Sequence, residues 1–516
     1  MTGSTAIAFA IGLPLFGTIL IVLNDRYPNI REAITLGTSA CLLLIVVGMV
    51  PEIAAGGRPE LVILHILPGL PIAFKVEPLG MLFALVSSGL WIVTSFYSIG
   101  YMRAHHEIHQ TRFYACFAVA ISSVMGICFA GNLLTLFIFY EILTLSTYPL
   151  VIHSGSKDAV TAGRVYLGIL IGTSIGFLLL AIVWTWFLTG TLDFTPGGIL
   201  KGKADGPVIG LLLFLFMYGT GKAALMPIHR WLPAAMVAPT PVSALLHAVA
   251  VVKAGVFTVL KIIVYIFGTD TLAGIGQDDW LMYIAAFTIV AASCVALTKD
   301  NLKARLAYST VSQLSYIVLG AALANGLGVM GGGMHIAMHA FGKITLFFCA
   351  GAIMVAAHKT EISEMDGLGR VMPFTFIAFL IGSLSIIGLP PTGGSWGKWY
   401  LILSAAEADQ IVFIVVLMVS SLLNVAYLMP IVGRGFFRPA KPDGHAAHDH
   451  DEDGGHGSGQ DAAPHNFWHG LRIGELREAP PFCLLAMGVT SIGCIALFLY
   501  ADRIYDLLAP VAGLTG

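Results

Sequence analysis

Charge is what this sequence has least of. Asp, Glu, Lys and Arg supply 11% of the 516 residues, against about 25% in a soluble domain, which excludes a water-facing exterior for most of the chain. Cysteine is also sparse. Cys41, Cys116, Cys128, Cys294, Cys349, Cys483 and Cys494 stand singly in apolar sequence, with no CxxC or CxxCH. That pattern excludes a zinc ribbon, a cysteine-ligated iron–sulfur site and c-type haem, and it reads as buried, unreactive thiols. A phosphate loop is missing too. In YGTGKAA the first glycine of such a loop is replaced by Phe216, and neither Ser nor Thr follows Lys222. No cofactor is encoded by any motif, and nothing points to nucleic acid as a partner.

What the sequence has is apolar length. Hydrophobic residues make up 57% of it, and the mean hydropathy is +0.86. Windows of about 20 apolar residues, each long enough to cross roughly 30 Å of hydrocarbon, recur along the chain and predict an all-α integral membrane protein. We place fourteen segments at about 5–23, 32–50, 79–100, 113–130, 133–152, 162–189, 207–227, 241–267, 280–298, 304–323, 330–357, 372–403, 410–433 and 481–501. The first has no basic flank and no small-residue cleavage site, so it reads as a membrane span and not as a removed signal peptide.

Of the 27 Lys and Arg residues, 17 fall in connections after odd-numbered segments or at the segment ends that border them, and five in connections after even-numbered ones or in the tail. The asymmetry predicts odd-numbered connections in the cytoplasm and both termini outside. The other five basic residues, Lys222, Lys253, Lys261, Lys343 and Lys398, lie inside segments, and Glu141 is the clear acid among them. A charge at mid-bilayer costs about 2.5–3.5 kcal/mol on insertion scales, so this set marks a function. Lys261, close to Gly268, fits snorkelling to the outer interface as well as it fits a role inside.

Two stretches hint at an internal repeat. NLLTLFIFYEILTLSTYPL from Asn132 and NLKARLAYSTVSQLSYIVL from Asn301 share their opening Asn-Leu. Each is followed two segments later by a segment that carries a lysine and is broken by proline: Lys222 before Pro227, and Lys398 after Pro390 and Pro391. Paired broken segments point to a transport site. Because lipid cannot satisfy freed backbone groups, the second break predicts a hydrated pocket beside Lys398.

The other polar groups fit one path. His335, His339 and Lys343 recur every four residues and share a helix face. His247 and Lys253, six apart, face different neighbours. Glu141 is expected to partner Lys222. A buried lysine loses proton affinity and regains it beside a carboxylate, while histidine relays between lysines. A Lys–His–Glu chain through a bundle is what a proton path needs. A zinc pair at His335 and His339 is the alternative, disfavoured because no HExxH is formed and Lys343 would repel the metal. His229 is either a break residue or a second relay with His247. His105, His106 and His109 read as solvated loop. Residues 435–480 are rich in Gly, His and Asp and read as a cytoplasmic linker, with metal buffering by His445, His448, His450 and His456 as the weaker reading.

The stretches FYEILTLSTYPLVIH, GKAALMPIHRWLPAAMVAPTPVSALLHAVAVVKAGVF, HAFGKITLFFCAG and GLPPTGGSWGKWYL closely resemble the antiporter-like subunits shared by respiratory complex I and Mrp-type sodium/proton antiporters. The resemblance runs from the third segment to the thirteenth. It implies fourteen transmembrane helices with two inverted five-helix repeats, each holding a broken helix. The division is then 1–101, 112–267 and 279–434, followed by the loop 435–480 and a last helix with its tail, 481–516. It implies proton translocation by Glu141, Lys222, Lys253, His335, His339, Lys343 and Lys398, with no catalytic residue, metal or cofactor. Lys253, Lys398 and YSIGYM side with the D-type Mrp subunits, as does the chain's length. The expected partners are then A, B, C, E, F and G type subunits, with protons, Na+ or K+, and the lipid of a bacterial cytoplasmic membrane. A subunit of a complex I-like or hydrogenase assembly is the alternative.

Overall fold

The computed structural model describes residues 2–276, 279–439, 471–473 and 476–514. Almost all of them are helical. The chain starts with α1 (Gly3–Leu23) and α2 (Pro28–Ala54), then forms an antiparallel hairpin of β1 (Glu60–Leu67) and β2 (Leu70–Lys75). The helices α3 (Pro78–Ala104), α4 (Gln110–Cys128), α5 (Leu133–Val151) and α6 (Lys157–Thr189) follow. Next come α7 (Gly206–Gly219), α8 (Thr240–Phe267), α9 (Asp279–Thr298), α10 (Leu302–Ala322) and α11 (Gly326–Ala357). The chain closes with α12 (Pro373–Ile387), α13 (Gly394–Glu407), α14 (Ile411–Phe437), α15 (Pro481–Leu499) and α16 (Ala501–Ala512).

Eleven helices among the described residues are long and apolar enough to cross a membrane. Three expected segments lie outside that set, each for a visible reason. The seventh and twelfth are interrupted, and the tenth, α10, carries Ser309, Thr310, Ser312, Gln313 and Ser315, all buried. Segment boundaries agree to within a few residues. The β-hairpin and α16 were not anticipated. The histidines expected to buffer metal, His445, His448, His450 and His456, lie outside the described residues.

Helix starts follow local chemistry. Asn132, Asn301 and Asn325 precede α5, α10 and α11, and each side-chain oxygen accepts the backbone N–H three residues on. Such caps satisfy an otherwise orphaned donor. Asn132 also bridges Asp193, after α6, while Asn301 bridges Glu361, after α11. The two stretches that resemble each other in sequence are thus tied down in the same way.

Burial sorts the helices. The apolar window of α8 is wholly buried, whereas α1, α2, α6, α14 and α15 bury about a third to two-fifths of theirs. A helix apolar all round belongs in the core or faces lipid. Outward residues such as Phe9, Phe187 and Leu422 mark the lipid-facing kind. The centre holds α3, α8, α10 and α11.

Both breaks leave backbone groups to satisfy. At the first, α7 ends at Gly219, a short turn covers Gly221–Ala223, and Ala224 adopts a left-handed conformation with φ +55°. The Trp231 indole donates to Gly221 O at 3.0 Å, and the Tyr218 hydroxyl donates to Met226 O at 3.2 Å. The Met226 amide donates to Thr288 at 3.3 Å. At the second, Gly388 (φ +89°) closes α12, and Gly393 N–H donates to Cys494 O at 2.8 Å. Protein groups meet these demands, which is how a broken helix survives at membrane depth.

Candidate functional site

Lys222 sits in the first break and is fully buried. Its ammonium donates to Tyr140 O at 2.9 Å and to the Thr144 hydroxyl at 2.6 Å, and it lies 3.2 Å from the centre of the Tyr140 ring. Its amide donates to the Tyr140 hydroxyl at 3.1 Å. All these acceptors are on α5, one turn around Glu141. The expected contact ion pair with Glu141 is not formed, since no N–O approach within 4 Å joins the two. The two are electrostatic neighbours without a contact, and the Ser174 hydroxyl on α6 is the carboxylate's other polar neighbour. Ser174 opens a π-helical turn, Ser174–Leu179, a deformation often found at functional positions.

The second cluster is longer. Lys253 on α8 donates to Nδ1 of His339 on α11. The His339 ring stacks on His335 with centroids 5.7 Å apart. His335 in turn donates through Nε2 to Gln313 at 2.9 Å and stacks on Tyr316 at 5.6 Å. On the far side of this array, the Lys398 ammonium lies 4.9 Å from the Tyr316 ring centre. Lys253, His339, His335, Tyr316 and Lys398 therefore form one run of contacts across α8, α11, α10 and α13. Gly397 lets α13 pack closely on α11 here, because a Cβ there would come within 3.0 Å of His335 Nδ1.

Lys398 answers a specific local need. Its ammonium donates to Ile387 O at 2.9 Å, a carbonyl freed by the end of α12, and to Ser421 at 3.1 Å. The hydrated pocket expected beside it is corrected by the structure. A cavity of about 780 Å3 does open there, but Leu389, Trp399, Met418, Leu422 and Val425 make its wall mainly apolar. The break is satisfied by the lysine itself and by Cys494 O, so it has no need of a polar chamber.

Lys343 shares the buried face of α11 but not this run. It donates to Ser309 at 2.6 Å and to Leu306 O at 3.3 Å. Ser309 bonds the Tyr427 hydroxyl at 2.7 Å, and Tyr427 donates to Asn424 on α14. The Tyr316 hydroxyl donates to Leu417 O at 3.5 Å, so the two branches meet at α14.

The remaining expected residues separate. His247 lies in a π-helical turn of α8, with its ring 4.6 Å from Phe347 and neither nitrogen hydrogen-bonded. It faces a different neighbour from Lys253, as its spacing predicts. His229 is half-buried in the first break beside Tyr308, away from both clusters. Pro227, Pro390 and Pro391 are exposed at the two breaks. Lys222 and Lys253 share no side-chain contact, although Gly255 packs on the Lys222 backbone.

One expectation about charge is corrected. Lys261 does not snorkel. It is 1% exposed, donates to Ala130 O at 2.6 Å and lies 3.6 Å from Glu77. Glu77, the residue before α3, and Glu32, near the start of α2, are buried as well, the latter held bidentately by Arg103 at 3.0 and 2.5 Å. Sequence reading also missed Tyr140, Thr144, Gln313, Tyr316, Ser309 and Tyr427. The polar crowding of α10 was the available signal for three of them.

The profile of the NADH:quinone oxidoreductase/Mrp antiporter transmembrane family matches residues 130–424, which brackets both clusters. NADH-quinone oxidoreductase subunit N of Desulforudis audaxviator is 34% identical over 365 residues, 68% of this chain and 72% of that one. NAD(P)H-quinone oxidoreductase chain 5 of Synechocystis sp. is 31% identical over 67% of this chain, but this chain spans only 52% of that relative's length. In fold, a chain of the Mrp complex from Dietzia sp. superposes with a TM-score of 0.83 at 22% identity, covering 99% of this chain and 97% of that one. A chain of an archaeal membrane-bound sulfane sulfur reductase does so at 0.80 and 22%, covering 98% and 97%.

Proposed function

This chain belongs to the NADH:quinone oxidoreductase/Mrp antiporter transmembrane family, and we propose that it is the proton-translocating subunit of a multi-subunit Mrp-type antiporter exchanging Na+ or K+ for protons. The observation that carries this is the run of hydrogen-bond, stacking and cation–ring contacts Lys253–His339–His335–Tyr316–Lys398, buried inside a membrane bundle. Each member can hold a proton or stack against one that does. An ammonium removed from water is held only at the cost of desolvation, so a proton on one lysine is released readily once a neighbour takes it up. Imidazoles at His335 and His339 supply the intermediate stations.

Glu141 and Lys222 form a second loading site at the first break. With no contact ion pair to dissolve, the carboxylate tunes the lysine through space and takes a proton without first breaking a bond. The matched Asn132 and Asn301 caps support two equivalent halves, 112–267 and 279–434, each with one break. By charge asymmetry both termini face outward from a bacterial cytoplasmic membrane. Within the family, Lys253 and Lys398 favour the D-type subunit, whose partners would be A, B, C, E, F and G type subunits. In this reading the chain is a transporter subunit, not an enzyme.

A second reading has its own support. The curated relatives are named as quinone oxidoreductase subunits, which favours a redox-driven pump in which other subunits carry the electron chemistry. The experiment that tests the function is cation-driven proton movement in vesicles holding the whole assembly, with Glu141→Ala beside the unaltered protein. Loss of exchange in an intact assembly is expected, and near-normal exchange would remove Glu141 from the mechanism. Identifying the co-purifying subunits chooses between the two assemblies.

A further inference from the structure

A cavity of about 670 Å3 opens at one end of the bundle, apart from the path described above. Its walls come from the hairpin, from the connections after α6, α8 and α10, and from the end of α16, represented by Lys75, Gly197, Asp270, Asn325 and Pro510. That is the side with few basic residues. Glu77, the residue before α3, forms its inner wall and is 5% exposed. Glu77 Oε2 has no hydrogen-bond partner and lies 3.6 Å from the Lys261 ammonium. Tyr265, one turn further along α8, lines the same cavity. Behind Glu77, Lys261 is enclosed, with the Phe194 ring centre 4.3 Å away and the Phe257 ring centre 5.7 Å away.

Lys261 stands on the same helix as Lys253, eight residues on, which is about 12 Å along an α-helix. Phe257 lies four residues from each, so its ring occupies the helix face between them. It packs on Phe83 with centroids 5.2 Å apart. An ionisable pair thus joins an open cavity to the buried run, with one apolar layer in between. Glu77 thus lies between the cavity and Lys261, lining the first while its buried Oε2 is turned to the ammonium of the second.

We propose that Glu77 and Lys261 are the access point through which protons pass between this cavity and Lys253, with Phe257 as the barrier that keeps water out between them. Inward, a proton from cavity water binds the Glu77 carboxylate and removes the counter-charge of Lys261. When the Phe257 ring swings aside and water bridges the gap, the Lys261 ammonium gives its proton to the Lys253 amine, and Glu77 returns its own proton to Lys261, so that one proton has advanced and the pair is reset. Outward movement runs the same steps in reverse. The proposal rests on the reading of Lys253 as a proton carrier.

The test uses the complete assembly in vesicles, with cation-driven proton exchange and passive proton leak both measured. Glu77→Gln and Lys261→Met are expected to lower exchange about tenfold or more, the scale of lost proton-transfer groups, while Glu77→Asp keeps most of it. Phe257→Ala is expected to raise the passive leak several-fold without any cation gradient, a gain that misfolding of an intact assembly would not mimic. Lys253→Met serves as the separate check on the underlying reading. If Lys253→Met is inactive while Glu77→Gln and Lys261→Met run at the unaltered rate, the access point is refuted and the reading of Lys253 stands. If Glu77→Asp is as inactive as Glu77→Gln and Phe257→Ala shows no added leak, the pair is structural and the proposal fails. If Lys253→Met exchanges normally, the underlying reading falls, and with it this inference.

Discussion

Lys222 gives its hydrogen bonds to the Tyr140 carbonyl and the Thr144 hydroxyl, at 2.9 and 2.6 Å, and none to the adjacent Glu141. The lysine is anchored by groups that cannot change charge, and the carboxylate beside it can. Separating the anchor from the titrating partner lets Glu141 gain or lose a proton while Lys222 stays in place.

Thr144→Val tests that anchor. It removes one hydrogen bond to a charged donor at a fully buried site, a loss of about 1.5–3 kcal/mol. The purified assembly should melt at a lower temperature, and exchange should fall less than in Glu141→Ala. An unchanged melting temperature would mean that Lys222 does not depend on Thr144.

Tyr316 is expected to act through its ring. The ring stacks on His335 and faces Lys398, while its hydroxyl belongs to the α14 branch. Tyr316→Phe should therefore keep most of the exchange rate, and Tyr316→Leu should lose it. Equal loss in both would assign the role to the hydroxyl instead.

One pH effect is expected at the basic side of the bundle. Burial, with the Arg112 charge second, lowers the His153 imidazole to about 4. Between about 6.5 and that value the unfolded chain binds a proton that the folded one refuses. This part of the stability is therefore present above pH 6.5 and is lost as pH falls toward 4. His153→Gln should flatten the acid side of a melting-temperature profile between those values, and an unaltered slope would exclude His153 as its source.

How much of this was legible in the sequence depends on the range of each interaction. Span positions, both breaks and the five buried lysines follow from local composition, because hydrophobic length and proline act over neighbouring residues. The meeting of Lys253 with His339 joins positions 86 residues apart, and no periodicity reports on that. Lys261 misled because snorkelling was judged from distance along the helix, whereas its surroundings are set by Glu77, the residue before α3. Gln313 and Tyr316 were hidden in a stretch read only as a repeat, although a polar face within a membrane segment was reason to look. The pocket at Lys398 was inferred from the general need of broken helices for polar partners, and the lysine met that need itself.

The central claim is that protons cross between Lys253 and Lys398 through the two stacked imidazoles. Replacing both together, His335→Phe with His339→Phe, keeps the aromatic stacking and removes every proton-binding atom between the lysines except the Tyr316 hydroxyl. Measured in sealed vesicles with the full assembly present, this variant is expected to show no cation-driven proton movement. Exchange at the unaltered rate would contradict the account.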